Sequence, residues 1–300
     1  MLSQEELKAY REVGKLAGKV REDVLELVKP GQKLLTIAEK AEDLIRKEGA
    51  EPAFPCNISL NEIAAHYTPP ANDKTKIEKG DLVTVDIGAH LDGYIGDTAA
   101  TVSAGEKEKN QKIVNAVQQV LERAIEAVGP GVNVGEIGRV VESTAKENDF
   151  KPITNLTGHS LDRWKLHAGI SIPNVEKESE EELKEDDVIA LEPFITDGGG
   201  EVEDTPEIYI FRYLTDANVS GRMPRQTLRQ IKKKYGHLPF AERWLAKDMS
   251  KIRLKMTLSE LITSRSLHPY YVLKEKEGGK VAQAEHTIIV TKDGSEVTTL

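Results

Sequence analysis

The sequence repeats itself after about one hundred residues, and this constrains the fold more than any single motif. Val28, Pro30, Gly31, Ile37 and Glu42 return as Val128, Pro130, Gly131, Ile137 and Glu142, each one hundred positions later. Each Pro-Gly closes a long helical pattern, expected over 4–29 and again over 106–128. A second amphipathic helix follows each, expected over 33–49 and 133–148. The stretch around His66 is matched by NLTGHSLDRWKLHAG, which sets His167 against His66. KGDLVTVDIG (79–88) is matched by EDDVIALEPF (185–194), and GDTAATV (96–102) by AEHTIIV (284–290). Asp86 then corresponds to Glu192, and Asp97 to Glu285. The first pair is offset by 106 residues and the second by 188, so the second half carries about 82 extra residues between its acidic strands.

The first acidic pair lies in GDLVTVDIGAHLDGYIGDTAATV (80–102), which reads as a β-hairpin turned at Asp92-Gly93. A Leu91-Asp92 loop would set Asp86 opposite Asp97. An Asp92-Gly93 loop would set Asp86 opposite Ala99 and Asp97 opposite Gly88. Either register leaves both aspartates on one face. An isolated pair of this kind is a solvated hairpin face. Two halves related by a pseudo-twofold would instead bring four carboxylates to one central place, where they need a cation. That many hard oxygen ligands suit a divalent pair such as Mn, Fe, Co or Mg, whereas a structural zinc favours Cys and His.

Seven histidines bear on this reading. His159, after Gly158 and before the Glu192 strand, is the natural nitrogen ligand beside four carboxylates. His66 and His167 should flank the centre from its two sides, where they suit polarising or protonating a substrate amide. His286 follows Glu285 on a strand and should face the other way. His90, His237 and His268 read as surface or core packing.

Three hundred residues suit one large domain or two small ones, and a hydrophobic fraction of 39% supports a substantial core. A net charge of −9 argues against a generally nucleic-acid-binding surface. The single cysteine, Cys56, excludes an intrachain disulfide and fits a reducing cytosol. MLSQEELKAYREVGKLAGKV reads as an amphipathic helix rather than a signal peptide, and no apolar run approaches the ~20 residues that span a bilayer. A cytoplasmic protein is expected.

Five motifs in order, NEIAAHYTP, VTVDIGAHLDGYIGDTAATV, GHSLDRWKLHAG, IALEPF and AQAEHTI, span nearly the whole chain. Together they resemble the methionine aminopeptidases, M24-type metallopeptidases. Their α+β "pita-bread" fold is shared with aminopeptidase P, prolidase and creatinase. The resemblance implies removal of the initiator methionine from nascent proteins and peptides. It also implies two divalent ions (Co, Mn, Fe, Zn or Ni) that activate water to attack the first peptide bond. Carried over by motif, Asp86 serves one ion, His159 and Glu192 the other, and Asp97 and Glu285 bridge them. Glu192 shuttles the water's proton toward the leaving amine. His66 contacts the scissile nitrogen, and His167 the carbonyl oxygen or tetrahedral intermediate. Phe54 and Leu166 are expected to line an apolar methionine pocket, with Cys56 near it.

The extra residues select a subtype. An insertion over 205–280, interrupting a catalytic domain of 1–204 and 281–300, resembles type II methionine aminopeptidases. A start directly at the catalytic domain resembles the archaeal form. The insertion reads as helical (MPRQTLRQIKKKYG, FAERWLAKDM, TLSELITSRSL) with a short strand after it, and is expected to be winged-helix-like. Between Val219 and Gly279 it holds 14 Lys and Arg against 5 Asp and Glu. This points to ribosomal RNA near emerging nascent chains as a partner. A monomer is expected. The competing readings are an Xaa-Pro aminopeptidase or dipeptidase of the same fold, and an inactive RNA- or protein-binding relative.

Overall fold

A computed structural model describes residues 1–300, leaving aside the side chains of Lys107 and Lys109. The first half runs α1 (Gln4–Leu25), α2 (Leu34–Lys47), β1 (Glu51–Leu60), β2 (Ile63–Ala65), β3 (Leu82–Leu91) and β4 (Tyr94–Ser103). The second half runs α3 (Lys107–Glu126), α4 (Val134–Glu147), β5 (Lys151–Pro152), β6 (Thr157–Leu161), β7 (Ser171–Pro173), β8 (Val188–Leu191) and β9 (Phe194–Thr196). The insertion follows as β10 (Val202–Tyr213), α5 (Arg222–Tyr235), β11 (Phe240–Ala241), α6 (Glu242–Leu245), α7 (Lys251–Thr263) and β12 (Leu267–Glu275). The chain then returns through β13 (Val281–Gln283), β14 (His286–Thr291) and β15 (Gly294–Val297).

A capping box between Ser3 and Glu6 starts α1. The helix stops at Leu25, short of the expected 29, because Leu27 and Val28 close tighter turns onto the carbonyls of Val24 and Leu25. The repeat is written in backbone hydrogen bonds. Gly31 N–H donates to the Ile77 carbonyl at 2.8 Å, and Gly131 N–H to the Leu183 carbonyl at 2.7 Å. Gly80 N–H donates to the Ala104 carbonyl, and Asp186 N–H to the Val290 carbonyl. Gly80 and Asp186 both have positive φ, 86° and 73°. Each half packs its helices on its own sheet, β1-β3-β4 in the first and β15-β14-β8-β6-β7 in the second, around separate cores.

Of the two registers open for the hairpin, the structure has the Asp92-Gly93 loop: Asp86 pairs with Ala99 and Gly88 with Asp97. Asp92 and Gly93 both take positive φ, which a two-residue loop of this kind demands. The halves meet where β4 lies against the start of β14. Ala99 and Glu285 form an antiparallel bridge. Threonines complete the seam. Thr287 Oγ1 accepts from Asp97 N–H and donates to the Asp97 carbonyl, both at 2.8 Å. Thr98 Oγ1 donates to the Glu285 carbonyl, and Thr101 Oγ1 to the Gln283 carbonyl.

The insertion differs from its sequence reading. The boundary at 204/205 falls inside β10, and β10 and β12 are long paired strands that extend to β2 beside His66. The helices α5 and α7 pack on this sheet around a third core that includes Phe211, Leu228, Phe240, Leu258 and Leu267. Among the described residues no helix is long and apolar enough to cross a membrane.

Replacing Thr287 by Val keeps its shape but strands the buried N–H and carbonyl of Asp97. A loss of about 2–4 kcal/mol of unfolding free energy is expected, measured by urea denaturation of the metal-loaded protein.

Candidate metal centre

Asp86 lies on β3 and Asp97 on β4. His159 lies on β6, Glu192 just past β8, and Glu285 just before β14. Strand alternation and the seam turn all five into one cavity of about 230 Å³. Ligand atoms of Asp97, His159 and Glu285 lie within 4.8 Å of one another. His159 Nε2 is 3.4 Å from Glu192 Oε1 and 3.8 Å from Asp97 Oδ2. Asp97, His159 and Glu285 are buried; Asp86 and Glu192 are half-buried.

The electrostatics follow from this crowding. Burial pushes Asp86 up to about 7, against the hydrogen bond from Asn57 that pulls it down. Burial and then the charge of Asp86 raise Asp97 well above the carboxylate range. Glu192 and Glu285 are raised likewise, by burial and then by the neighbouring carboxylates. Burial lowers His159 to about 4, so its imidazole is neutral near pH 7. Asp86 Oδ1 and Asp97 Oδ1 are buried without any hydrogen-bond partner. Four carboxylates, a neutral imidazole and orphaned carboxylate oxygens fit hard divalent cations.

The remaining expected residues also line the cavity. His66, His167, Phe54 and Leu166 all face it. His66 takes a positive φ of 65°, and its Nδ1 lies 3.0 Å from the Tyr271 carbonyl. A carbonyl only accepts, so Nδ1 carries the proton and Nε2 is the free lone pair. The His167 ring lies 4.3 Å from that of His159. Cys56 is a correction. Register shifts in β1 between Phe54 and Asn57 turn both of those side chains into the cavity and Cys56 away from it, into the first half's core. His286 faces away, as expected, toward Thr299 and Arg21. His268 is exposed, as the surface reading expects, and its ring meets Tyr270 of the cavity wall edge-on at 5.0 Å.

A family model described as metallopeptidase family M24 matches residues 8–292. The chain belongs to metallopeptidase family M24. The methionine aminopeptidase of the archaeon Methanothermobacter thermautotrophicus is 46% identical over 294 residues, 98% of each chain. A structure titled as a thermophilic Arx1 superposes with a TM-score of 0.84 at 21% identity, over 99% of this chain and 91% of that one. The methionine aminopeptidase of Thermotoga maritima superposes at 0.73 and 21% identity, over 99% and 98%. At those identities the two structures bear on the fold alone, the pita-bread architecture expected from the motifs. M24 membership makes this chain a metal-dependent peptide-bond hydrolase.

The sequence reading of this M24 metallopeptidase passed over several residues. Asn57 Nδ2 donates to Asp86 Oδ2 at 3.0 Å. Gln283 Nε2 donates to Glu192 Oε2 at 3.1 Å and to Glu285 Oε2 at 3.3 Å. Tyr270, Ile210 and Pro239 bring the insertion into the cavity wall. The Gln two places before Glu285 shares its strand face, a period-2 signal open to sequence reading. The insertion residues carried no such signal.

The shifts fix a pH dependence for the metal-free protein. The lowered histidines add stability as pH rises, an effect complete near their unfolded value of 6.5. The raised carboxylates act oppositely, because the folded state holds more protons than the unfolded chain. Above pH 6.5 only the carboxylate effect continues. Stability of the metal-free protein is therefore expected to fall from pH 6.5 through 7 and beyond, and saturating divalent metal to abolish the fall, in denaturant titrations at each pH.

Proposed function

We propose that this metallopeptidase removes the N-terminal methionine from proteins and peptides, using two divalent ions held by Asp86, Asp97, His159, Glu192 and Glu285. The observation that carries the proposal is a cavity with two chemistries. Four carboxylates and an imidazole converge at one end, while Phe54, Leu166, Phe194, Ile210 and Pro239 make an apolar wall. Four ionised carboxylates beside a neutral imidazole carry the charge that two divalent ions balance. The assignment of Co, Mn, Fe, Zn or Ni to the pair belongs to the same proposal.

Bound there, the ions lower the pKa of water toward neutrality and polarise the scissile carbonyl. The residues do the rest. Gln283 holds Glu192 by Oε2, leaving Oε1 to take the proton of the attacking water and pass it to the nitrogen as the C–N bond breaks. His66 Nε2, unprotonated because Nδ1 donates to Tyr271, accepts the scissile N–H and orients the amide. His167 is held below its ordinary pKa by desolvation and then by its neighbouring imidazoles. It is neutral near pH 7 and donates an N–H to the carbonyl oxygen as charge builds there. The apolar wall takes the methionine side chain.

The exposed Arg222, Arg225, Arg229, Lys232 and Lys233 of α5 support the expected approach to ribosomal RNA. Ribosome co-sedimentation that is absent at low salt would rule that partner out.

The deciding assay compares Met-initiated with Xaa-Pro peptides on metal-loaded protein of measured stoichiometry. Cleavage of the Met peptides with two ions per chain is expected; preference for Xaa-Pro would favour the prolidase-like reading. In the same assay His66→Ala should lower kcat about 10²–10⁴-fold with metal content intact. His159→Ala should lose one ion.

A further inference from the structure

Arg243, on α6 of the insertion, is 5% exposed although it carries a full charge. Its guanidinium reaches out of the insertion into the first half. Nη2 donates to Glu42 of α2, itself 3% exposed. Nη1 donates to Thr68 Oγ1 at 2.5 Å and to the Pro69 carbonyl at 3.3 Å. The neighbouring Trp244 donates Nε1–H to the other oxygen of Glu42 at 2.8 Å. Glu42 also accepts the Cys56 N–H at 3.3 Å, and Thr68 Oγ1 donates to the Cys56 carbonyl at 2.7 Å. The repeat-related Glu142 makes no such knot: it is bound by Lys146 and by the Glu176 N–H at the surface.

Each segment tied by this knot supplies a wall of the cavity. Pro239 lies four residues before Arg243. Phe54 and Asn57 flank Cys56, and His66 lies two residues before Thr68. Pro239 also lines a second, outer cleft of about 860 Å³ between α2 and the insertion, together with Leu238, Glu42 and Arg243. That wall of the substrate cavity thus has open space behind it. Pairing of Phe240 with Phe211 holds it to the insertion's own sheet, and that sheet meets the first half at its far end, through β12 and β2. Across the cavity, Leu238 shares one apolar cluster with Ala53 and Phe54, a contact that can slide, and the Arg243–Glu42 knot adds the directional link between Pro239 and Phe54.

A buried ion pair is a poor source of net stability, since its desolvation offsets its attraction; its geometry is what it can fix. We propose that Arg243 and Glu42 are positioning residues for substrate selectivity. They set the separation of Pro239 from Phe54 and so the size of first side chain the cavity admits, without touching substrate. The inference rests on the methionine-removing reading above. One methylene in an apolar pocket is worth about 10–200-fold in discrimination, so a small displacement of this wall is measurable.

The test uses metal-loaded wild type, Glu42→Gln and Arg243→Ala, assayed on peptides beginning with Met, Leu or Phe and otherwise identical. Expected in the variants are a raised KM for Met, unchanged metal stoichiometry, and discrimination against Leu and Phe reduced about tenfold or more. Added ethylguanidinium should restore discrimination in Arg243→Ala. If that variant does not fold, Glu42→Gln, which keeps the side chain's shape, decides the question. Wild-type discrimination in a folded variant, whatever its melting temperature, would overturn the positioning role. A wild type that does not prefer Met would instead overturn the functional reading on which it rests.

Discussion

Two aspartates and two glutamates, from halves of the chain that repeat one another, point into one cavity. Two like charges 4 Å apart repel by about 4 kcal/mol at an effective dielectric of 20. Four of them strain the structure until protons or cations compensate. Burial pushes all four carboxylates upward, Asp86 to about 7, and in Asp97, Glu192 and Glu285 the neighbouring carboxylates add to it. His159 is pushed down and contributes a neutral nitrogen instead of a balancing charge. A chain that held these groups loosely would let them swing apart into solvent. The surrounding architecture is what prevents that.

The restraint comes in layers. The hairpin fixes Asp86 and Asp97 on one face, two residues apart in register. The threonine seam fixes that face against the Glu285 strand, with Thr287 gripping the backbone of Asp97 from both sides. Asn57 and Gln283 then aim amide hydrogens at three of the four carboxylates, which holds rotamers without adding charge. The amides leave other oxygens open, and these are the ones a cation can use.

The insertion completes the site from outside the repeat. Its strand β12 supplies the Tyr271 carbonyl that decides which nitrogen of His66 is protonated, and Tyr270, against which the His66 ring packs at 5.3 Å. Its Arg243 enters the first half and is held there by Glu42 and Thr68. The same segment therefore has an apolar core of its own and also forms a wall of the cavity.

Much of this was legible in the residues. Period-2 alternation placed Asp86 and Asp97 on one face before any register was known, because a face depends on parity alone. The repeat tied them to Glu192 and Glu285 because equivalent backbone positions make equivalent hydrogen bonds, as Gly31 and Gly131 do. Other features depended on contacts between residues far apart in sequence. Cys56 was placed near the pocket by proximity, but an irregularity in β1 rotates it into the core. The strand after the insertion's helices was legible, as β12, but its partner β10 was not: the two pair across more than fifty intervening residues, and β12 then meets the three-residue β2 some 200 residues away. What the sequence by itself determined is which groups share a face, since covalent geometry and strand pitch are local. What the tertiary structure alone decided is which amides, carbonyls and guanidinium lock those groups in place, since burial and hydrogen bonding depend on the whole packed chain.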